Sequence, residues 1–208
     1  MKTIPTLLIG SVLVAIALQL RPSKPAPAKP GFEVSRTSSA TLAAFHWGIT
    51  QKPYCPAPTK SVTADELERI LTMSGVDSNV IHTVDHTYTI PEIKWWDKFL
   101  PDFDNLMINF GYRYTPEIED CDDFSRLFAT ATQHTFRLQY KQVREAVLVG
   151  EFHYKSESQD PHKKGPHVIN VVGAWENGMP GLKFVEPQSG KFVTLSRSEM
   201  ASCYFLRF

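Results

Sequence analysis

The chain has 208 residues, with 22 Lys plus Arg against 22 Asp plus Glu, zero formal net charge, 42% hydrophobic and 12% aromatic residues. This length holds one ordinary domain and a tail, not two enzymatic domains, and the composition is that of a chain with a core rather than a disordered one. A balanced charge draws no polyanion to the molecule as a whole, so nucleic acid is not expected among its partners.

From Thr3 to Leu20 there is no charged residue, a run intermediate between a secretory h-region and a short membrane-spanning helix. The expected organisation is an anchor or signal segment over residues 1–21, a linker over 22–31 stiffened by Pro22, Pro25, Pro27 and Pro30, and one domain over 32–208. An uncleaved run makes a single-pass membrane protein. Cleavage at Ala26-Pro27-Ala28 would make it secreted or periplasmic, and burial as a core helix is the third reading. Lys2 precedes the run while Arg21, Lys24 and Lys29 follow it, which by the positive-inside rule favours a cytoplasmic C-terminal domain.

Further on, Thr63-Ala64-Asp65-Glu66 reads as a capping box before Leu67, Ile70 and Leu71, and Gly75 ends that helix. Thr89-Ile90-Pro91-Glu92 repeats the start signal ahead of a short aromatic helix with Ile93, Trp95, Trp96 and Phe99, whose large side chains belong in a core. A longer helix is expected from about Asp122 to Gln139, with Phe124, Leu127, Phe128, Ala131, Thr135 and Leu138 on one face. Then come strands at Ala146–Tyr154, His167–Trp175, Leu182–Val185, Phe192–Leu195 and Tyr204–Phe208, with turns at Asn177-Gly178, Pro180-Gly181 and Ser189-Gly190. Lys155 to Pro166 is polar and reads as a loop. Helices first and strands later predict an α+β fold with an antiparallel sheet.

The three cysteines, Cys55, Cys121 and Cys203, are too few for a disulfide framework, and no CxxC suggests zinc; a Cys55–Cys203 bridge stays open if the domain is exported. Cys121 falls where the long helix begins, and the orphan N–H groups and dipole there favour thiolate over thiol. The adjacent Asp122 and Asp123 oppose that ionisation, suit a first helical turn without any metal, and also suit a hard cation. His167, opening a strand, can serve as base, and Glu186, closing the next, can orient its imidazole. The bland alternatives are a buried Cys121 acting as a small hydrophobe and a Glu186-Pro187 that merely ends a strand.

Three blocks carry a resemblance. Asp120-Cys121-Asp122-Asp123-Phe124, Gly165-Pro166-His167-Val168-Ile169-Asn170-Val171 and Glu186-Pro187-Gln188-Ser189-Gly190 resemble, in order, the DCDDFA, GHAxNV and EPQxG blocks of the papain-like cysteine peptidase domain at the C-terminus of mushroom agglutinins, which has stand-alone bacterial and phage relatives. The likeness spans about Tyr114 to Phe192. Pro166 stands where that family has glycine before the histidine, and Ser125 where it has alanine after DDF. The resemblance implies a papain-like α+β fold with the nucleophile helix packed on the sheet. It also implies a Cys121–His167–Glu186 triad, a protein or peptide substrate, and dependence on calcium or a similar cation held near Asp122 and Asp123. The agglutinins' sugar-binding module has no counterpart here.

The expected activity is therefore that of a membrane-tethered or exported cysteine hydrolase. Cys121 attacks a carbonyl, His167 moves the proton, and the Cys121 N–H is one oxyanion donor. Asn105 and Asn109 are upstream candidates for the other. A non-catalytic envelope or virion binding module on the same fold, and a transglutaminase-like acyl transferase, are the competing readings. Asn170, one position out of phase with Ile169 and Val171, is not expected to act on the histidine.

Overall fold

The structure, a computed structural model, describes residues 52–113, 115, 120–160 and 163–208. The expected anchor over 1–21 and linker over 22–31 lie outside the described residues. The expected membrane location needs correction: among the described residues no helix is long and apolar enough to cross a membrane.

Strand β1 (Ser61–Thr63) runs straight into α1 (Ala64–Met73). The switch is the capping box, with Thr63 Oγ1 accepting from the Glu66 N–H at 3.2 Å and a Glu66 carboxylate oxygen accepting from the Thr63 N–H at 3.0 Å. Leu67 and Leu71 are the buried ridge of this helix, and Gly75 leaves it at φ 104°. A 3-10 turn (Ser78–Val80), β2 (Ile81–His82) and β3 (Thr87–Thr89) follow. Thr89 does not cap the next helix as expected, because its backbone is held in β3 opposite Ser61. Glu92 takes the cap position of α2 (Ile93–Phe110), with no side-chain cap bond. That helix is not short: it runs 18 residues, through Pro101.

Helix α3 (Cys121–Gln139) starts one residue before its expected beginning. Then come β4 (Ala146–Val147), β5 (Val149–Ser156), β6 (Gly165–Glu176), β7 (Met179–Glu186), β8 (Lys191–Val193), α4 (Arg197–Ala201) and β9 (Phe205–Arg207). The stretch expected as one strand from Ala146 breaks at Leu148, so that β4 joins a three-stranded sheet β1-β3-β4 and β5 a six-stranded sheet β2-β9-β5-β6-β7-β8. The expected antiparallel order holds for β9 through β8, whereas β2 on β9 and β4 on β3 pair in parallel. The fold is thus mixed α and β, with short strands also preceding the helices.

Two apolar cores result. In one, Trp95, Trp96, Phe99 and Phe103 of α2 pack against Phe128 and Phe136 of α3 and against Val172, Ala174 and Val185 of the sheet. Both indoles are anchored, Trp95 Nε1 on Gln139 at 2.9 Å and Trp96 Nε1 on the Gly173 carbonyl at 2.8 Å. In the other, Leu67 and Leu71 of α1 meet Leu148, Phe152, Ile169, Val171 and Leu206. The strand period of two explains the division: alternate residues of β6 serve opposite cores.

Candidate active site

Three elements converge on one point. Cys121 is the first residue of α3, preceded by Asp120 in extended conformation. His167 lies near the start of β6, opposite Tyr154 of β5. Glu186 ends β7, where the turn through Gly190 (φ 59°) reverses the chain into β8. Because β6 and β7 are paired antiparallel, a residue early in one and a residue late in the other come to the same end of the sheet.

At that end His167 Nε2 lies 3.0 Å from Glu186 Oε2, and the Cys121 thiol is near enough to the imidazole to help raise its pKa. With Nε2 facing the carboxylate, Nδ1 is left for the sulfur. His167 is 2% exposed and Glu186 4%, so water weakens the bond between them little. Burial pulls the His167 pKa down, but its interactions with Cys121 and Glu186, and the charges those groups carry, outweigh it and raise the value from 6.5 to about 9. Burial pushes the Glu186 carboxyl up, and the neighbouring His167 and Lys163 outweigh it in the other direction, leaving it below the ordinary value. The Tyr154 ring meets the imidazole edge-on, with centroids 5.9 Å apart, and burial leads the effects that push its phenol to about 12. The other thiols are in different settings. Cys55 contacts the Tyr140 hydroxyl at the first core and Cys203 is buried in the second. Burial leads in raising both pKa values, that of Cys203 to about 11. All three thiols are free.

Asp122 and Asp123 sit in the first turn of α3, and Asp120 joins them: one carboxylate oxygen from each lies within 4.8 Å of the others. A hydrogen bond with Asp122 leads the effects that raise the Asp120 pKa, as expected where like charges crowd. Asp120 Oδ1 is buried with no hydrogen-bond partner among the described residues. Converging carboxylates with an unsatisfied oxygen are the donor set a hard cation takes. Arg126 supplies the cluster's positive charge from within the chain, at 2.6 Å from Asp122 and 3.7 Å from Asp123.

Asn170 is fully buried and donates to the carbonyls of Ser125 and Gly150, tying α3 to the sheet and not to the histidine. Asn105 and Asn109 stand exposed on α2. Sequence reasoning missed Lys163, whose Nζ lies 3.0 Å from Glu186 Oε2, and Tyr154. For Asp120 a signal existed in its i, i+2 spacing from Asp122. A cavity of about 210 Å³ opens beside the imidazole, bordered by Tyr154, Ser156, Lys163, Thr194 and Glu199. A larger groove of about 680 Å³, along Gln133, His134, Arg137 and Arg207, contains none of the three residues that converge.

No protein-family model and no curated protein matches the chain. Several solved structures share its fold, two of them as follows. One is described as the PSL1a–E64 complex, at 21% identity and a TM-score of 0.54, covering 71% of this chain and 50% of that one. The other is Polyporus squamosus lectin bound to a human-type influenza-binding epitope, at 21% identity and a TM-score of 0.53, covering 71% and 49%. The chain therefore spans about half the length of these two proteins, and the mushroom lectin likeness is one of fold.

Proposed function

We propose that the domain is a papain-like cysteine hydrolase that cleaves a peptide or related amide, with Cys121 as nucleophile, His167 as acid and base, and Glu186 holding the imidazole. The observation that carries this reading is the buried His167–Glu186 pair, 3.0 Å apart, with the half-buried Cys121 thiol at the start of α3 acting on the same imidazole. A structural thiol has no need of a histidine that is itself buried on a carboxylate.

In this reading the Cys121 sulfur attacks the substrate carbonyl carbon and its proton rests on His167 Nδ1. The oxyanion meets the Cys121 backbone N–H, which as a first-turn group has no partner inside the helix. The imidazolium passes its proton to the leaving nitrogen, the C–N bond breaks, and a thioester remains. Water, losing its proton to His167, attacks that thioester and frees the acid and the thiol. Glu186 keeps its charge throughout and fixes the ring. Asp120, Asp122 and Asp123 would hold a divalent cation such as calcium, which would offset their negative charge beside the thiolate.

Alkylation rates test the reading. E64, the compound named in the first similar structure, and iodoacetamide are each reacted with the protein, and labelling is followed at every cysteine. Cys121 is expected to react at least about tenfold faster than Cys55 or Cys203, and to lose that advantage in His167→Ala. Equal rates at Cys121 and Cys55 would sink the enzyme reading. Transfer of an acyl group to an added amine in place of water would instead mark an acyl transferase.

The second similar structure, a lectin with a bound glycan epitope, favours one other reading, a non-catalytic binding module. Saturable glycan binding that survives Cys121→Ala, with slow alkylation, is its signature.

A further inference from the structure

The Glu186 carboxylate has more partners than a triad requires. Its Oε2 lies 3.0 Å from His167 Nε2 and 3.0 Å from Lys163 Nζ, while Oε1 accepts from the Gln188 N–H at 3.3 Å. Two cationic donors thus share a single oxygen of a carboxylate whose side chain is 5% exposed, and the Lys163 side chain, 31% exposed, closes over it from the solvent side. The lysine comes from the polar segment between β5 and β6, where its own N–H is tied to the Asp160 carbonyl at 3.0 Å.

Resting on the hydrolase reading above, we infer that Lys163 is a fourth, positioning member of the site, one that clamps Glu186 and takes up part of its charge. A carboxylate left alone with an imidazolium stabilises it fully and makes it a reluctant acid. A carboxylate shared with a lysine behaves more like a neutral orienting group: it still fixes the ring but lets the proton go to the leaving nitrogen. The other ionisable groups around the imidazole are Cys121 from α3, Tyr154 from β5 and, across the 210 Å³ cavity, Glu199 from α4. None of them is positive, so Lys163 is the cation of this pocket among the described residues.

The test is the titration of the His167 ring in the full chain, followed by NMR with labelled histidine, in the wild type and in Lys163→Met, Lys163→Arg and Glu186→Gln. Removing the lysine charge leaves the carboxylate to the imidazolium alone. The midpoint of His167 is then expected to rise by about half a unit or more in Lys163→Met and to return to the wild-type value in Lys163→Arg. Glu186→Gln is expected to lower it. Lys163 lies at the surface, so loss of folding is not expected in Lys163→Met, and the amide spectrum checks it. If Glu186→Gln lowers the midpoint but Lys163→Met leaves it unchanged or lowers it, the role of Lys163 falls and the triad stands. If Glu186→Gln has no effect, the triad reading falls and this inference with it.

Discussion

Cys121, His167 and Glu186 come together because each is placed by a feature whose own reason for being there is structural. Cys121 is held by a helix start, His167 by a strand pairing with Tyr154, and Glu186 by the donors around its carboxylate. One position in the first turns of α3 is not resolved so well. Ser125 is fully buried on α3, and its hydroxyl has no hydrogen-bond partner among the described residues, although its carbonyl accepts from Asn170. A buried hydroxyl without a partner forfeits its hydration for nothing. Ser125→Ala is therefore expected to stabilise the domain by about 1 kcal/mol, read as a higher urea midpoint at unchanged slope, with the Cys121 alkylation rate preserved. A lower midpoint would mean the hydroxyl has a partner after all.

At the scale of elements, the end of β7 has to deliver Glu186 and then turn at once. Gly190 makes that turn at φ 59°, and a Cβ there would lie 3.1 Å from the Leu100 carbonyl and 3.1 Å from Asp104 Cβ, both on α2. The glycine of the third block thus serves a left-handed backbone and a close helix at once. Gly190→Ala is expected to cost about 1–3 kcal/mol in chemical denaturation and to slow Cys121 alkylation, since shifting the turn displaces the Glu186 carboxylate. Stability lost with alkylation unchanged would separate the turn from the site. The sequence made the long helix α3 legible, and the three blocks whose residues Cys121, His167 and Glu186 meet in the fold, because blocks and a 3.6-residue period leave local marks; the length of α2 was not legible. What it hid depended on distant partners. Pro180-Gly181 reads as a turn but lies inside β7, opposite Trp175 and Ala174. Since β8 pairs only with Phe184 to Glu186, Pro180 occupies an unpaired edge where its missing N–H is not needed. Thr89 reads as a cap until strand pairing claims its backbone. Lys163 gives no signal, because its only distinction is a carboxylate 23 residues away. Helix α4 was missed although Ser196 and Glu199 form a complete capping box, for the helix is five residues long and has no apolar period to read.

At the scale of the whole domain, the two cores lie on alternate faces of the same strands, and they are joined by backbone as well as by packing. The Gly173 carbonyl takes the Trp96 indole of the first core, while a Cβ on Gly173 would lie 2.6 Å from Leu148 of the second. Strand β6 thus contributes to both cores. The two ordinary cysteines report on the two cores separately, Cys55 at the edge of the first and Cys203 inside the second. Pulsed alkylation across a urea series is expected to expose both thiols at one midpoint, coincident with the loss of secondary structure by circular dichroism. Cys121 should become ordinary in the same step, since its helix start and its histidine belong to elements that the shared sheet holds in register. Separate midpoints for Cys55 and Cys203 would mean that the cores fold as independent units. In that case the convergence of α3, β6 and β7 on one site would rest on the first core alone, and the enhanced reactivity of Cys121 would follow Cys55 rather than Cys203.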